Sequence, residues 1–361
     1  MPDALPTVAI VGAGPTGIAC AIELQRLGRD SVCYDKGGIL DAIYHFPEEM
    51  VWFSTRDLLD IAGVPFASPQ AHPTRLETLA YYRGVAEKFG VKVEAETEIE
   101  TIEKSSDGNL RVLALRRGEA VVSSATAVVV ATGFFHNPKK LDVPGCTLPH
   151  VHSRYVSAYP YHGRDVVVVG AKNGAAEAAL DLYRHGARVT LVARAGEISD
   201  RVKYWVKPDI ENRIREGSIR AHFNSSIREI DRNSVTIEAS GGGQLSEIPR
   251  ESELRPRVEE SLPGGRREHT HVTKIPADAV FALIGYEPDF SLLERCGVRL
   301  EGERRVPAHD PDTLESNVPG LYLAGAILTG TETGRIFIEN SRHHASRIAR
   351  AIARRIPASH A

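Results

Sequence analysis

Two stretches of this chain carry the same local instruction: a run of apolar residues ends in a glycine turn and opens directly into a helix. The first is Thr7-Val-Ala-Ile-Val-Gly12-Ala-Gly14-Pro15-Thr16-Gly17, and the second is Asp165-Val-Val-Val-Val-Gly170-Ala-Lys172-Asn173-Gly174-Ala175. An apolar run without polar alternation suits a strand buried on both faces, the situation of parallel sheets. The glycines allow a sharp bend and a close helix–strand approach. The helix start then offers free N–H groups and the positive end of its dipole to a phosphate. Repetition of the unit marks an internal duplication. The expected fold is therefore α/β, with two Rossmann-like (three-layer ββα) dinucleotide-binding domains.

The rest of the pattern supports that frame. Thr7–Val11 reads as a strand, Pro15–Leu27 as a helix closed by Gly28, and Asp30–Asp35 as the next strand. Residues 74–90 are helical in spacing. Short strands follow from Val91 to Val122, broken at Asp107-Gly108 and Arg117-Gly118, and Ala127–Ala131 is a further buried strand. The second unit repeats the order, with a helix over Ala175–Arg184 and a strand over Arg188–Ala193. Strands at Ala279–Gly285 and Val318–Gly325 precede a terminal helix over Arg335–Arg354. If the strand near 318 returns to the first sheet, the first domain is discontinuous. It then comprises residues 1–156 and 276–361, around a second domain at 157–275, with hinges near Ser157 and Ile275. Ser240–His271 is polar and glycine-rich and reads as a long hairpin insertion or mobile loop.

Composition excludes several function classes. A net charge of −3 provides no global basic field for nucleic acid or an anionic membrane. The apolar runs are strand-sized, and Met1-Pro-Asp-Ala-Leu-Pro lacks the features of a secretory leader. The four cysteines (Cys20, Cys33, Cys146, Cys296) fit neither zinc-ligand nor disulfide spacing, and there is no Cys-x-x-Cys. Cys20 and Cys33 read as small buried hydrophobes, and a reducing cytoplasm is the expected setting. No metal-ligand spacing is present, so no metal is expected, and without a Gly-x-Ser-x-Gly elbow hydrolase chemistry has no nucleophile.

Two such turns point to two dinucleotides, most economically a flavin and a nicotinamide. In the first turn, Gly12 permits the bend, Gly14 lets the backbone approach a pyrophosphate, and Gly17 lets the helix pack close, with Pro15 and Thr16 at the helix start. Asp35, followed by Lys36, ends the second strand where an acid would accept ribose hydroxyls. Thr132 and Gly133 close another strand of this domain. Gly325 and Ala326, with Ile336 at the start of the terminal helix, are assigned to the same flavin site. That helix dipole would stabilise anionic charge on a reduced ring. The second turn departs from the first: Lys172 replaces the middle glycine, and Asn173, Gly174 and Ala175 follow. Side-chain hydrogen bonding by Asn173 and backbone freedom at Gly174 are expected to compensate. Arg194 stands where the ribose acid would be. A carboxylate repels a 2′-phosphate and a guanidinium can grip one, which favours NADPH over NADH. The plainer alternative is a solvated strand-end charge. Lys172 and Arg201 are further candidates for the phosphate, and Gly285 completes the assigned NADPH residues. No catalytic residue is assigned. His343, His344, His136 and His152 are available as proton donors, with His343 the one singled out.

Further matches run in order along the chain: Asp60-Ile-Ala-Gly-Val-Pro65-Phe66, Tyr81-Tyr82-Arg83, Ala131-Thr132-Gly133-Phe134-Phe135, Ile284-Gly285-Tyr286-Glu-Pro288-Asp289 and Ile336-Phe337-Ile338-Glu339-Asn340. With the two turns, they make the chain resemble the bacillithiol disulfide reductase-like family, relatives of thioredoxin reductase without the dithiol motif. The resemblance implies FAD in the N-terminal site, NADPH at the Gly170 turn, a low-molecular-weight thiol disulfide as substrate, a bacterial cytoplasmic location and a homo-oligomer (dimer or tetramer). Three departures stand out. Typical members carry a cysteine in the first turn where this chain has Thr16, which cannot form a mixed disulfide. The 240–271 stretch is longer than in the family, and Ala326 follows Gly325 where broader relatives place an aspartate. Three other readings stay open. Pro144-Gly145, His152-Ser153 and Tyr155 are similar to a flavin monooxygenase signature. Arg342, Arg347, Arg350, Arg354 and Arg355 could dock an acidic carrier such as ferredoxin. A non-catalytic redox sensor is the third.

Overall fold

The structure, a computed structural model, describes residues 8–239 and 271–355. Nearly all of the expected insertion therefore lies outside the described residues. The first glycine turn joins β1 (Val8–Val11), buried along its length, to α1 (Pro15–Arg26). β2 (Ser31–Tyr34) then runs parallel to β1. Two four-residue helices follow that the sequence pattern does not announce, α2 (Asp41–Tyr44) and α3 (Arg56–Leu59). α4 (Arg75–Phe89) starts at a reciprocal cap. The Thr74 hydroxyl accepts the Glu77 N–H at 3.3 Å, and the Glu77 carboxylate accepts the Thr74 N–H at 2.8 Å. After β3 (Val93–Glu94), the strands β4 (Thr97–Lys104), β5 (Leu110–Arg116) and β6 (Glu119–Ala125) form an antiparallel meander. Its turns fall at the two glycine breaks read from the sequence. β7 (Ala127–Val130) then pairs with β1.

The second unit contains β8 (Val151–His152), β9 (Asp165–Val169), α5 (Asn173–Arg184), β10 (Arg188–Val192), α6 (Lys207–Arg215) and β11 (Arg220–His222). A meander of β12 (Ser225–Ile230), β13 (Ser234–Ala239) and β14 (His271–Pro276) precedes β15 (Ala279–Ala282). The parallel sheet has the order β11-β10-β9-β15-β8. β9 shows why its sequence is an unbroken valine run. Val166 and Val168 pack into the core that holds α5, while Val167 and Val169 pack against Ile227, Val235 and Ile237 of the meander. Both faces are covered, which is the three-layer arrangement.

The chain then returns to the first unit through α7 (Ser291–Arg295), the short pair β16 (Leu300–Glu301) and β17 (Val306–Pro307), β18 (Leu321–Leu323) and α8 (Ile338–Arg355). β18 pairs in parallel with β7, giving the sheet order β18-β7-β1-β2-β3, so the conditional return is observed. α8 buries Ser341, His344, Ala345, Ile348, Ala349 and Ile352 and packs on α1. It starts at Ile338 rather than near Arg335. The Asn340 side chain holds the preceding turn, accepting the Phe337 N–H at 2.7 Å and donating to the Arg335 carbonyl at 3.0 Å.

The compact units are Met1–Asn137 with Tyr286–Ala361, and Pro138–Gly285. The second unit thus begins before and ends after the range expected from sequence. The reason is β8, whose pairing with β15 draws both flanking segments into its sheet. Ser157 and Ile275 lie within this unit, and Ile275 is a buried strand residue, so neither stands at a joint between units.

Candidate dinucleotide-binding sites

In the first unit the glycine turn is built for close approach. Gly12 has φ +108°, and a Cβ there would stand 2.6 Å from the Ala131 carbonyl oxygen. A Cβ on Gly17 would stand 2.0 Å from the Gly12 carbonyl oxygen, so only glycine lets α1 sit this near the turn. Gly14 faces open space and caps α1 without a side-chain bond. With Pro15 at the first helical position, the uncapped N–H groups of this turn face outward, as an anion site requires. The Asp35 carboxylate accepts the Ala13 N–H at 2.8 Å and the Gly37 N–H at 3.0 Å. Burial raises its pKa above the ordinary carboxylate value, against the lowering effect of those two bonds.

A cleft opens at the carboxyl ends of β1, β2 and β7, lined by Gly12, Asp35, Lys36, Thr132, His136 and Asp289 among others. This is where strand order reverses, the expected ligand position in an open α/β sheet. The Thr132 hydroxyl in its wall is buried and has no hydrogen-bond partner among the described residues. An orphaned hydroxyl on a glycine-rich cradle beside an acid fits a dinucleotide such as FAD. Gly133, with φ +65°, follows directly with open space above it.

Residue 16 faces the start of α8. The Thr16 hydroxyl lies 2.9 Å from Ser341 Oγ, and a Cβ on Gly325 would be 3.5 Å from it. Gly325, φ +80°, donates its N–H to His344 Nδ1 at 3.2 Å. His344 is buried, and burial, followed by the charges of Arg347 and His343, lowers its pKa to about 4. It is therefore a neutral acceptor rather than a proton donor at neutral pH. Ala326 and Ile336 are half-buried beside this region, Ile336 against the core. His343, singled out from sequence, is exposed. Ser341 and His344 were the informative residues. Ser341 was not foreseen, and the place of both in the apolar stripe with Ala345, Ile348 and Ile352 was the sequence signal that favours them over His343.

In the second unit, Gly170 has φ +136°, and a Cβ there would meet the Leu283 carbonyl oxygen at 2.6 Å. Lys172 is the exposed N-cap of α5 and makes no side-chain cap bond, while Gly174 faces open space and Ala175 is buried. The Asn173 side chain is already committed. It donates to the Arg201 carbonyl at 3.0 Å and accepts the Lys203 N–H at 2.9 Å. These two bonds use one of the two amide N–H donors, so the side chain holds a loop and keeps one N–H for another acceptor. Lys172, Arg194 and Arg201 are exposed, and their side chains have no hydrogen bond or ion pair among the described residues. Gly285, φ +105°, is exposed at the end of this unit.

No cysteine forms a disulfide. Cys20 and Cys33 are fully buried, and burial pushes the Cys20 thiol up to about 12 and the Cys33 thiol up as well. Cys296 is buried and Cys146 half-buried. Four of the five arginines of α8 have partners within the first unit. Arg342 pairs with Asp60, Arg347 reaches the Asp312 carbonyl at 3.3 Å, Arg350 reaches the Ser346 carbonyl at 2.9 Å, and Arg355 pairs with Glu315. The two ion pairs offset the charge of Arg342 and Arg355, whereas Arg347 and Arg350 keep theirs and Arg354 is exposed. No helix among the described residues is long and apolar enough to cross a membrane.

Two glycine turns, each at the carboxyl edge of its own parallel sheet, one beside an acid and the other beside free cations, define an oxidoreductase of the two-dinucleotide class. The chain belongs to the pyridine nucleotide-disulphide oxidoreductase family, whose model matches residues 9–250 and 260–325. It is 33% identical over 346 residues to the bacilliredoxin reductase Bdr of Bacillus subtilis (strain 168), covering 96% of this chain and 97% of the relative. The structure is similar to that of bacillithiol disulfide reductase from Bacillus cereus, with a TM-score of 0.85 and 35% identity over 97% of this chain and 99% of the other. The corresponding enzyme of Staphylococcus aureus gives a TM-score of 0.84 and 30% identity over 96% and 98%.

Proposed function

We propose that this chain is an NADPH-dependent FAD oxidoreductase that reduces the disulfide of a low-molecular-weight thiol of the bacillithiol type, as a homo-oligomer in a bacterial cytoplasm. The observation that carries the reading is the full-length correspondence to bacilliredoxin and bacillithiol disulfide reductases, because it spans both glycine cradles. FAD, when bound, supplies the means to take a hydride from nicotinamide and return two electrons to a disulfide. NADPH, one proton and one disulfide thus give NADP⁺ and two thiols.

The chain's own residues bind and orient. In the first unit, the N–H groups of Gly14, Thr16 and Gly17 and the α1 dipole take the pyrophosphate, Asp35 takes a ribose, and Thr132 offers a hydroxyl that has no partner among the described residues. The Gly325 amide is held back by neutral His344, which fixes the backbone beside Thr16. In the second unit, the α5 start takes the other pyrophosphate and Arg194 takes the 2′-phosphate. A protein dithiol plays no part. Cys20 and Cys33 are sealed as neutral thiols, and residue 16 carries a hydroxyl. Electrons then pass to the acceptor without a covalent protein intermediate.

Stopped-flow mixing tests the reading. Protein reduced anaerobically by NADPH is mixed with bacillithiol disulfide, ferredoxin or oxygen. Fast reoxidation by the disulfide is expected. Preference for oxygen or ferredoxin would overturn the substrate assignment, and failure of every acceptor would leave a sensor.

A further inference from the structure

The loop at 199–207 is fastened to the second glycine turn at three points. The Ser199 N–H donates to the Ala171 carbonyl at 2.9 Å. Asn173, the first residue of α5, bonds the Arg201 carbonyl at 3.0 Å and the Lys203 N–H at 2.9 Å. Beyond it the loop is anchored again. Lys203, only 5% exposed, pairs with Glu177 on α5, and its ammonium lies 5.9 Å from the centre of the Trp205 ring. The one long side chain between these anchors that stays exposed and without a partner among the described residues is that of Arg201. Its peptide is clamped at the carboxyl edge of the sheet while its guanidinium is left for something else.

We infer that Asn173 is a positioning residue that presents Arg201, together with Arg194, to the 2′-phosphate of NADPH, and so sets the preference for NADPH over NADH. The inference rests on the cofactor reading above. The physical basis is entropic. A guanidinium grips phosphate well only when little freedom is lost on binding, and a fixed backbone removes much of that loss beforehand. Contacts to the rest of the dinucleotide come from backbone N–H groups of the turn, which do not need the Asn173 amide.

The test uses calorimetric titration of the full chain with 2′,5′-ADP and with 5′-AMP, so that no turnover is required. Arg201→Ala, an exposed substitution, is expected to weaken 2′,5′-ADP about tenfold and 5′-AMP hardly at all. Asn173→Ala should do the same, and the double variant should fall no further than the weaker single. Matching Michaelis constants should show a rise for NADPH with kcat nearly unchanged. Equal weakening of both nucleotides by Asn173→Ala would overturn the inference, since it would mean a direct contact. So would multiplicative effects in the double variant, or an unchanged preference in Arg201→Ala. A wild-type chain indifferent to the 2′-phosphate would overturn the cofactor reading itself.

Discussion

Acidification should withdraw about 3 kcal/mol of stability through His344 alone by about pH 4.5. The imidazole is buried and accepts the Gly325 N–H at Nδ1, so it must be unprotonated there. Its pKa falls from 6.5 to about 4, chiefly because burial disfavours the charged ring, with Arg347, His343 and His309 adding repulsion. The unfolded chain therefore takes up the proton first. The contribution of the neutral ring is complete above about pH 6.5 and is lost as pH falls toward about 4. The loss is about 1 kcal/mol at about pH 5.5 and about 3 kcal/mol at about pH 4.5. His344→Asn keeps an acceptor near the Nδ1 position but removes the titration. Denaturant unfolding of both proteins at neutral and acidic pH separates this group from the other carboxylates and histidines, because those contribute to both. The variant should lose less stability than the wild type by roughly the amounts above. Identical losses in the two proteins would refute the argument.

Other expectations are as direct. Gly17→Ala places a methyl 2.0 Å from the Gly12 carbonyl oxygen, so the turn must open and FAD retention should fall at least about tenfold, read from the flavin absorbance of purified protein. Arg194→Ala should raise the KM for NADPH about tenfold and leave that for NADH nearly unchanged; equal changes would argue against a 2′-phosphate contact. Cys20→Ala should cost about 1–2 kcal/mol by leaving a small cavity, yet leave disulfide turnover within about twofold, because the thiol is sealed from solvent. Thr16→Cys should speed disulfide turnover if a thiol beside Gly325 can enter the reaction. No gain would support direct transfer to the substrate.

Much of this molecule is written locally. Valine runs, glycine turns, the Thr74–Glu77 cap and the paired hairpin breaks depend on residues a few positions apart, so the sequence alone determined both cradles, the strands that carry them and the acid at Asp35. The tertiary structure decided whatever depends on distant neighbours. It joined β18 to β7, which makes the first unit discontinuous, and it drew β8 to β15, which moved the unit boundaries. It buried His344 and exposed His343, a choice that helical phase settles only once α8 packs on α1. It made Asn173 the clamp of a loop 28 residues away, a contact that the local turn pattern does not announce. A side chain's chemistry follows from its type, but its function follows from which partners the fold brings within hydrogen-bond reach, and those partners are rarely its neighbours in the chain.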